Sequence, residues 1–375
     1  MTFDPTRSDG WDRVRGPSRQ RLASTSKRAR PLLAGAAVVA TACGPGPAQG
    51  PSEPAPLRQV VAAVEETTPA VGRADDVAIW RDASEPSRSV LIGTDKDIGL
   101  MVYDLTGAEL HRIEGFQPNN VDLRDGITLG GAEASIVVAG DDEEGSILVY
   151  RLDPATRSLV DVSVRRLTTD VKPYGLCLYR EATSERLYVF AADEDGRVEQ
   201  LELFDDGSGR IDARRVRGPW DVGGQVEGCV ADDQLGVVYL GEEDEGVWRY
   251  GAASDEPTSE RISVDTTSPG GHLEADVEGL ALLGHPDGTG LLIASSQGDS
   301  SFVAYTREGE NRFVKRFQVG PGEVDGCEET DGIEVLAGNL GPRFPKGLFV
   351  CHDGRNPGAR SNFKLVPLER ILEDR

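Results

Sequence analysis

Apolar runs of four to seven residues, rich in Val, Ile and Tyr, alternate along this chain with polar turns bounded by Gly, Asp, Asn and Pro. Runs of that length and composition predict β-strands, and no long stretch carries the apolar spacing of an amphipathic helix. One unit recurs six times: an apolar strand, a polar turn closed by glycine, then a further apolar stretch in most copies. The copies are Ile92–Tyr103, Val138–Tyr150, Phe190–Gly196, Leu240–Trp248, Ile293–Gly298 and Phe349–Gly354. Their glycines, Gly99, Gly145, Gly196, Gly246, Gly298 and Gly354, follow one another at intervals of 46, 51, 50, 52 and 56 residues. Repeats of that length suit propeller blades. One such hairpin cannot bury its own apolar face, whereas six arranged radially can. The pattern therefore predicts an all-β fold, a six-bladed β-propeller occupying residues 59–375.

In a propeller, turns at equivalent blade positions fall on one rim. Four of the six turns carry two or more Asp or Glu, so that rim is strongly acidic. Beyond residue 42 the chain holds 32 basic and 61 acidic residues, a formal charge of −29. Such a field repels nucleic acid and anionic lipid headgroups, which excludes both as partners of the folded domain. Crowded carboxylates also raise one another's pKa unless a cation neutralises them. The composition calls for bound metal, and carboxylate, amide and carbonyl oxygens select calcium over softer ions.

The N-terminus reads as an export signal. Lys27, Arg28 and Arg30 precede a 12-residue apolar stretch from Pro31 to Ala42, too short for a stable membrane span. It ends in Ala40-Thr41-Ala42-Cys43-Gly44, which looks like a bacterial lipoprotein signal with Cys43 as the lipidated residue. On this reading residues 1–42 are removed and 43–58, rich in Pro, Gly and Ala, form a flexible tether. The mature chain is then expected at the cell envelope, meeting the membrane only through its lipid. A plain secretory signal, releasing the protein, is the alternative.

With Cys43 set aside, Cys177, Cys229, Cys327 and Cys351 form an even set in an oxidising compartment. Three pairings are open. The similar places of Cys177 and Cys229 in neighbouring repeats favour joining them, which leaves Cys327 with Cys351. Zinc spacings are absent, and His111, His272, His285 and His352 read as surface or structural residues. No GxSxG elbow, phosphate loop or HExxH pair occurs, so nucleophilic Ser or Cys catalysis has no support.

A series of motifs identifies a family that the chain resembles. In order they are Asp75–Trp80, Gly99–Leu105, Asn119–Arg124, Tyr174–Tyr179, Gln225–Asp233, Glu242–Asp244, Asp276–Leu280, Ala294–Gly298, Thr330–Ile333 and Asn362–Pro367. Together they are similar to the β-propeller phytases, over nearly all of the chain from Glu66 to Ile371. That family has six blades. The resemblance implies calcium-dependent hydrolysis of phosphomonoesters of myo-inositol hexakisphosphate, a 3-phytase activity, by a chain expected to be a monomer. It implies a catalytic calcium cluster on Glu227, Glu243, Asp276, Glu278, Gln297 and Tyr174, with Asp331 as a further acidic ligand. It implies structural calcium ions on Glu66, Asp76, the carbonyls of Val77 and Val121, Asp325, Asp353 and Asn356. Lys96 matches a phosphate-binding lysine.

Departures from the family concentrate among its phosphate-binding cations. Asp97, Asp142 and Glu194 stand where the family has lysine, arginine and lysine, and Arg355 replaces a glutamate near the structural calcium ions. Charge-assisted contacts to phosphate are among the stronger polar interactions, so these losses weaken phytate binding or shift the demand onto calcium. Lys346, Arg343, Arg197 and Arg124 are available to compensate, and Arg124 is taken with Lys96 as a candidate substrate-binding residue. Two function classes follow: a calcium-dependent phosphomonoesterase acting on phytate, and a non-catalytic calcium-stabilised propeller descended from one. A propeller lactonase is a third class with no motif in its favour.

Overall fold

The computed structural model of the chain describes residues 59–373. The expected leader, the tether and Cys43 lie outside the described residues. Strands alternate with short turns throughout, and one α-helical turn, Glu369–Leu372, follows the last strand.

Six antiparallel sheets follow one another along the chain as blades 1 to 6. Their innermost strands are Ala74–Trp80, Val121–Leu129, Gly175–Arg180, Val226–Asp232, Val277–Gly284 and Ile333–Ala337. Each lies beside the innermost strands of the neighbouring blades, so the six ring a central axis. The acidic turns connect the second and third strands, as Asp95 to Gly99 in blade 1 and Glu242 to Gly246 in blade 4 show. The turns thus recur at one place in each blade, on the rim where the innermost strands begin.

Closure uses the start of the described chain. Glu65–Glu66 pairs antiparallel with Asn362–Pro367 and becomes the outer strand of blade 6. Just before it, Gln59–Ala62 runs parallel to Phe313–Gly320 as a fifth strand of blade 5. The two segments tie the last blades to the first strand of the ring, about three hundred residues away in sequence.

Apolar side chains gather between blades, with one cluster at each of the six interfaces among the described residues. Consecutive residues on a middle strand serve different interfaces. Leu91 packs toward blade 6 and Ile92 toward blade 2, and both are fully buried. Burial on both faces explains why these strands read as continuous apolar runs rather than as alternating ones. Two disulfides add covalent ties. Cys177 joins Cys229 across blades 3 and 4, and Cys327 joins Cys351 within the approach to blade 6.

Candidate functional site

Three innermost strands carry an irregularity at the same place. The ladder slips between Ala74 and Val77 in blade 1, between Val226 and Cys229 in blade 4, and between Val277 and Leu280 in blade 5. A bulge bends a strand and re-aims the residues within it. Here those residues are Asp75 and Asp76, Glu227, and Glu278. A glycine follows each glutamate because the next blade passes closely: a Cβ on Gly228 would lie 2.2 Å from the Glu278 carbonyl oxygen, and one on Gly279 would lie 2.7 Å from that of Asp331. Tyr174-Gly175 and Asp331-Gly332 repeat the arrangement in blades 3 and 6. The result is a ring of polar side chains around the axis.

Glu227, Glu243 and Glu278 converge, with one carboxylate oxygen from each lying within 4.8 Å of the other two. Neighbouring Glu242 does not join them. Its oxygens accept from Gly224 N at 2.6 Å and Trp248 Nε1 at 2.7 Å. By contrast Glu243 Oε1 and Glu278 Oε2 are buried without a hydrogen-bond partner. Asp276 lies near enough to Glu243 to repel it. Gln297 donates through Nε2 to Asp331 and, through its backbone N–H, to the Asp276 carbonyl at 2.9 Å. The Tyr174 hydroxyl and the Asn119 amide both lie beside Glu227.

Electrostatic strain marks this group. Burial, then the Asp75 charge, raises the Glu227 carboxyl to about 7. Burial and repulsion from Glu227 raise Glu243 to about 8 and hold Glu278 well above the usual carboxylate range. Burial and Glu227 likewise bring Asp331 to about 6. Lys96 is the countercharge: Nζ lies 2.8 Å from Asp75 Oδ1 and 5.5 Å from the Tyr174 ring centroid. Burial works against its ammonium, but Asp75 and Glu227 outweigh that and keep it protonated.

The other expected positions form two further groups. Asp76, Val77 and Val121 share the wall of an axial cavity of about 290 Å³. Asp76 Oδ2 accepts from Val121 N at 3.0 Å and Asn120 Nδ2 at 3.1 Å. Glu66, Asp325 and Asp353 gather around the fully buried Lys364, whose Nζ lies 2.5 Å from Glu66, 3.2 Å from Asp353 and in contact with Asp325. A calcium ion there would share three carboxylates with an ammonium. Asn356 turns its amide to the Arg360 carbonyl at 3.0 Å, and Arg355 pairs with Glu328 and Glu329.

Arg124 requires a correction. It lies inside the axial cavity, where its guanidinium meets Asp122 and Asp233, each at 2.9 Å, and the Leu178 carbonyl at 2.5 Å. With its donors committed to these partners it has none to offer a substrate. Arg343 is likewise engaged, by Glu65, Glu323 and the Val64 carbonyl.

Two residues at the rim were not singled out from sequence. Asp75 holds Lys96 and Asn119 supports Glu227, and both are neighbours of residues that were. His352 accepts the Asp331 N–H through Nδ1 at 3.1 Å, and burial lowers its pKa to about 4, so it stays neutral as a support behind Asp331.

The carboxylate group fits a calcium ion. It offers hard oxygen donors, it includes buried oxygens without partners, and its own repulsion is what a divalent cation relieves.

Comparison with known proteins places this geometry. The profile of the family described as Phytase matches residues 36–374. The 3-phytase of Bacillus subtilis (strain 168) is 39% identical over 326 residues, which cover 84% of this chain and 85% of that protein. Among solved structures, an α-L-arabinofuranosidase of Fusarium graminearum superposes with a TM-score of 0.52 at 10% identity, over 85% of this chain and 99% of that one. A luciferin-regenerating enzyme reaches a TM-score of 0.50 at 11% identity, over 84% and 96%. At such identity these two likenesses concern the fold alone.

Proposed function

The chain belongs to the phytase family, and from that premise we infer that it is a 3-phytase whose rim carboxylates hold the calcium needed to hydrolyse phosphomonoesters of phytate. The observation that carries the calcium assignment is the convergence of Glu227, Glu243 and Glu278, with unpartnered buried oxygens on two of them. Asp276, Gln297, Asp331 and the Tyr174 hydroxyl complete the donor set around them. Calcium bound there would act as a Lewis acid, increasing the acidity of water and neutralising phosphate oxygens.

The chain's own side chains do the rest. We take water as the direct nucleophile, with the converging carboxylates serving as oxygen donors rather than as attacking groups. Asp75 fixes the Lys96 ammonium beside Tyr174, where it can meet a phosphate oxygen as charge builds on it. The Tyr174 hydroxyl lies beside Glu227 and is placed to steady that carboxylate. Asp331 is anchored from behind by His352 and from the side by Gln297. Asp76 with the Val77 and Val121 carbonyls supports a structural calcium ion nearer the axis.

Export with a lipid on Cys43, or secretion after simple cleavage, completes the proposal, with the enzyme working as a monomer.

Phosphate release from calcium phytate tests the reading. Activity should vanish with a chelator, return with calcium, and fall at least a hundredfold in Glu227→Gln. Equal release by wild type and variant contradicts it.

A further inference from the structure

Beside the carboxylate rim lies a second cavity, of about 340 Å³, over the turns of blades 2 and 3. Tyr174 is the partition: it lines this cavity, and its hydroxyl lies beside Glu227 on the rim side. An ester bound by one phosphate at Glu227, Glu243 and Glu278 therefore places neighbouring substituents of its ring toward this space. The lining carries five carboxylates against two cations, Lys172 and Arg197. Arg197 is already committed to Asp193 at 2.6 Å. Arg166, on the same edge, pairs with Asp141 and Glu144 and leaves Asp142 without it. Among the described residues no ion pair covers Asp142 or Glu194.

We propose, on the reading of the rim as a phosphomonoesterase site, that Asp142 and Glu194 select substrates by charge. They disfavour an ester whose phosphates next to the reacting one are bare dianions, and they are indifferent to an ester that carries a single phosphate. Two carboxylates within a screening length of a phosphate repel it without touching it, so the effect falls on binding rather than on the chemical step. Phytate is thus handicapped by its own extra phosphates, and esters with fewer of them gain relative standing.

The test compares phytate with p-nitrophenyl phosphate, at one fixed free calcium concentration, in wild type and in the double variant Asp142→Asn/Glu194→Gln. The amides keep the shape of the wall and remove its charge. The variant should raise kcat/KM for phytate about tenfold, chiefly through KM, and leave the value for p-nitrophenyl phosphate within about twofold. The gain should shrink as ionic strength rises, which a purely structural effect would not do. An unchanged value for phytate at low salt, or equal changes for both substrates, overturns the selection while leaving the enzyme reading intact. Absence of phosphate release from both substrates overturns the enzyme reading, and the selection with it.

Discussion

Replacing Glu227 by glutamine should abolish activity and yet, with metal withheld, make the protein more stable. The carboxyl is 3% exposed, and its pKa rises from 4.5 in the unfolded chain to about 7 in the fold. A native pKa above the unfolded one means that the fold binds the proton more tightly. The contribution is complete below pH 4.5 and is lost as pH rises through 7. At about 1.4 kcal/mol per unit, an ionised Glu227 costs the metal-free fold about 3 kcal/mol above that pH. Glutamine keeps the size of the side chain beside Tyr174 and Asn119 and removes its charge. Urea unfolding in the presence of a chelator should show wild type and variant alike near pH 4.5, with the variant gaining progressively to about 3 kcal/mol by pH 8. Calcium should reverse the order, because only wild type retains the full ligand set, and a ligand stabilises the state that binds it. A variant no more stable than wild type in chelator at pH 8 would refute the claim that burial and the Asp75 charge penalise an ionised Glu227.

Other consequences are open to measurement. Lys96→Met should raise KM for phosphoester substrates about tenfold or more and change kcat less, since it removes a charge-assisted contact, and steady-state kinetics would show it. Tyr174→Phe keeps the ring beneath Lys96 but removes the hydroxyl beside Glu227, so kcat should fall about tenfold while thermal stability stays within a degree or two of wild type. Paired Cys→Ser changes at Cys177 and Cys229, which close a separation of 52 residues, should cost about 4 kcal/mol in unfolding experiments. The Cys327–Cys351 pair, at 24 residues, should cost somewhat less.

The blade count was legible because glycine-closed turns recur wherever a second strand meets a third, and that repeat survives in the sequence even where side chains differ. Glu227 and Glu278 were named through the resemblance to the phytases, and each stands before a glycine that the neighbouring blade approaches closely. Depth along the axis was not legible. Arg124 lies three residues beyond Val121 on an innermost strand, deeper in the axial cavity whose wall both share. Nor does sequence show which of two adjacent acids faces inward: Glu242 and Glu243 differ only in which one Trp248 and Gly224 satisfy. The closing strands Gln59–Ala62 and Glu65–Glu66 are too short for a period, and their partners lie at the far end of the chain. Lys364 sits inside the motif Asn362–Pro367, yet nothing in that motif announces three carboxylates around its ammonium.

Anomalous diffraction from crystals grown with calcium tests the central claim most directly. The account predicts peaks within bonding distance of Glu227, Glu243 and Glu278, weakened or lost in the Glu227→Gln protein. A rim without anomalous density under conditions where phosphate is released from phytate would contradict it.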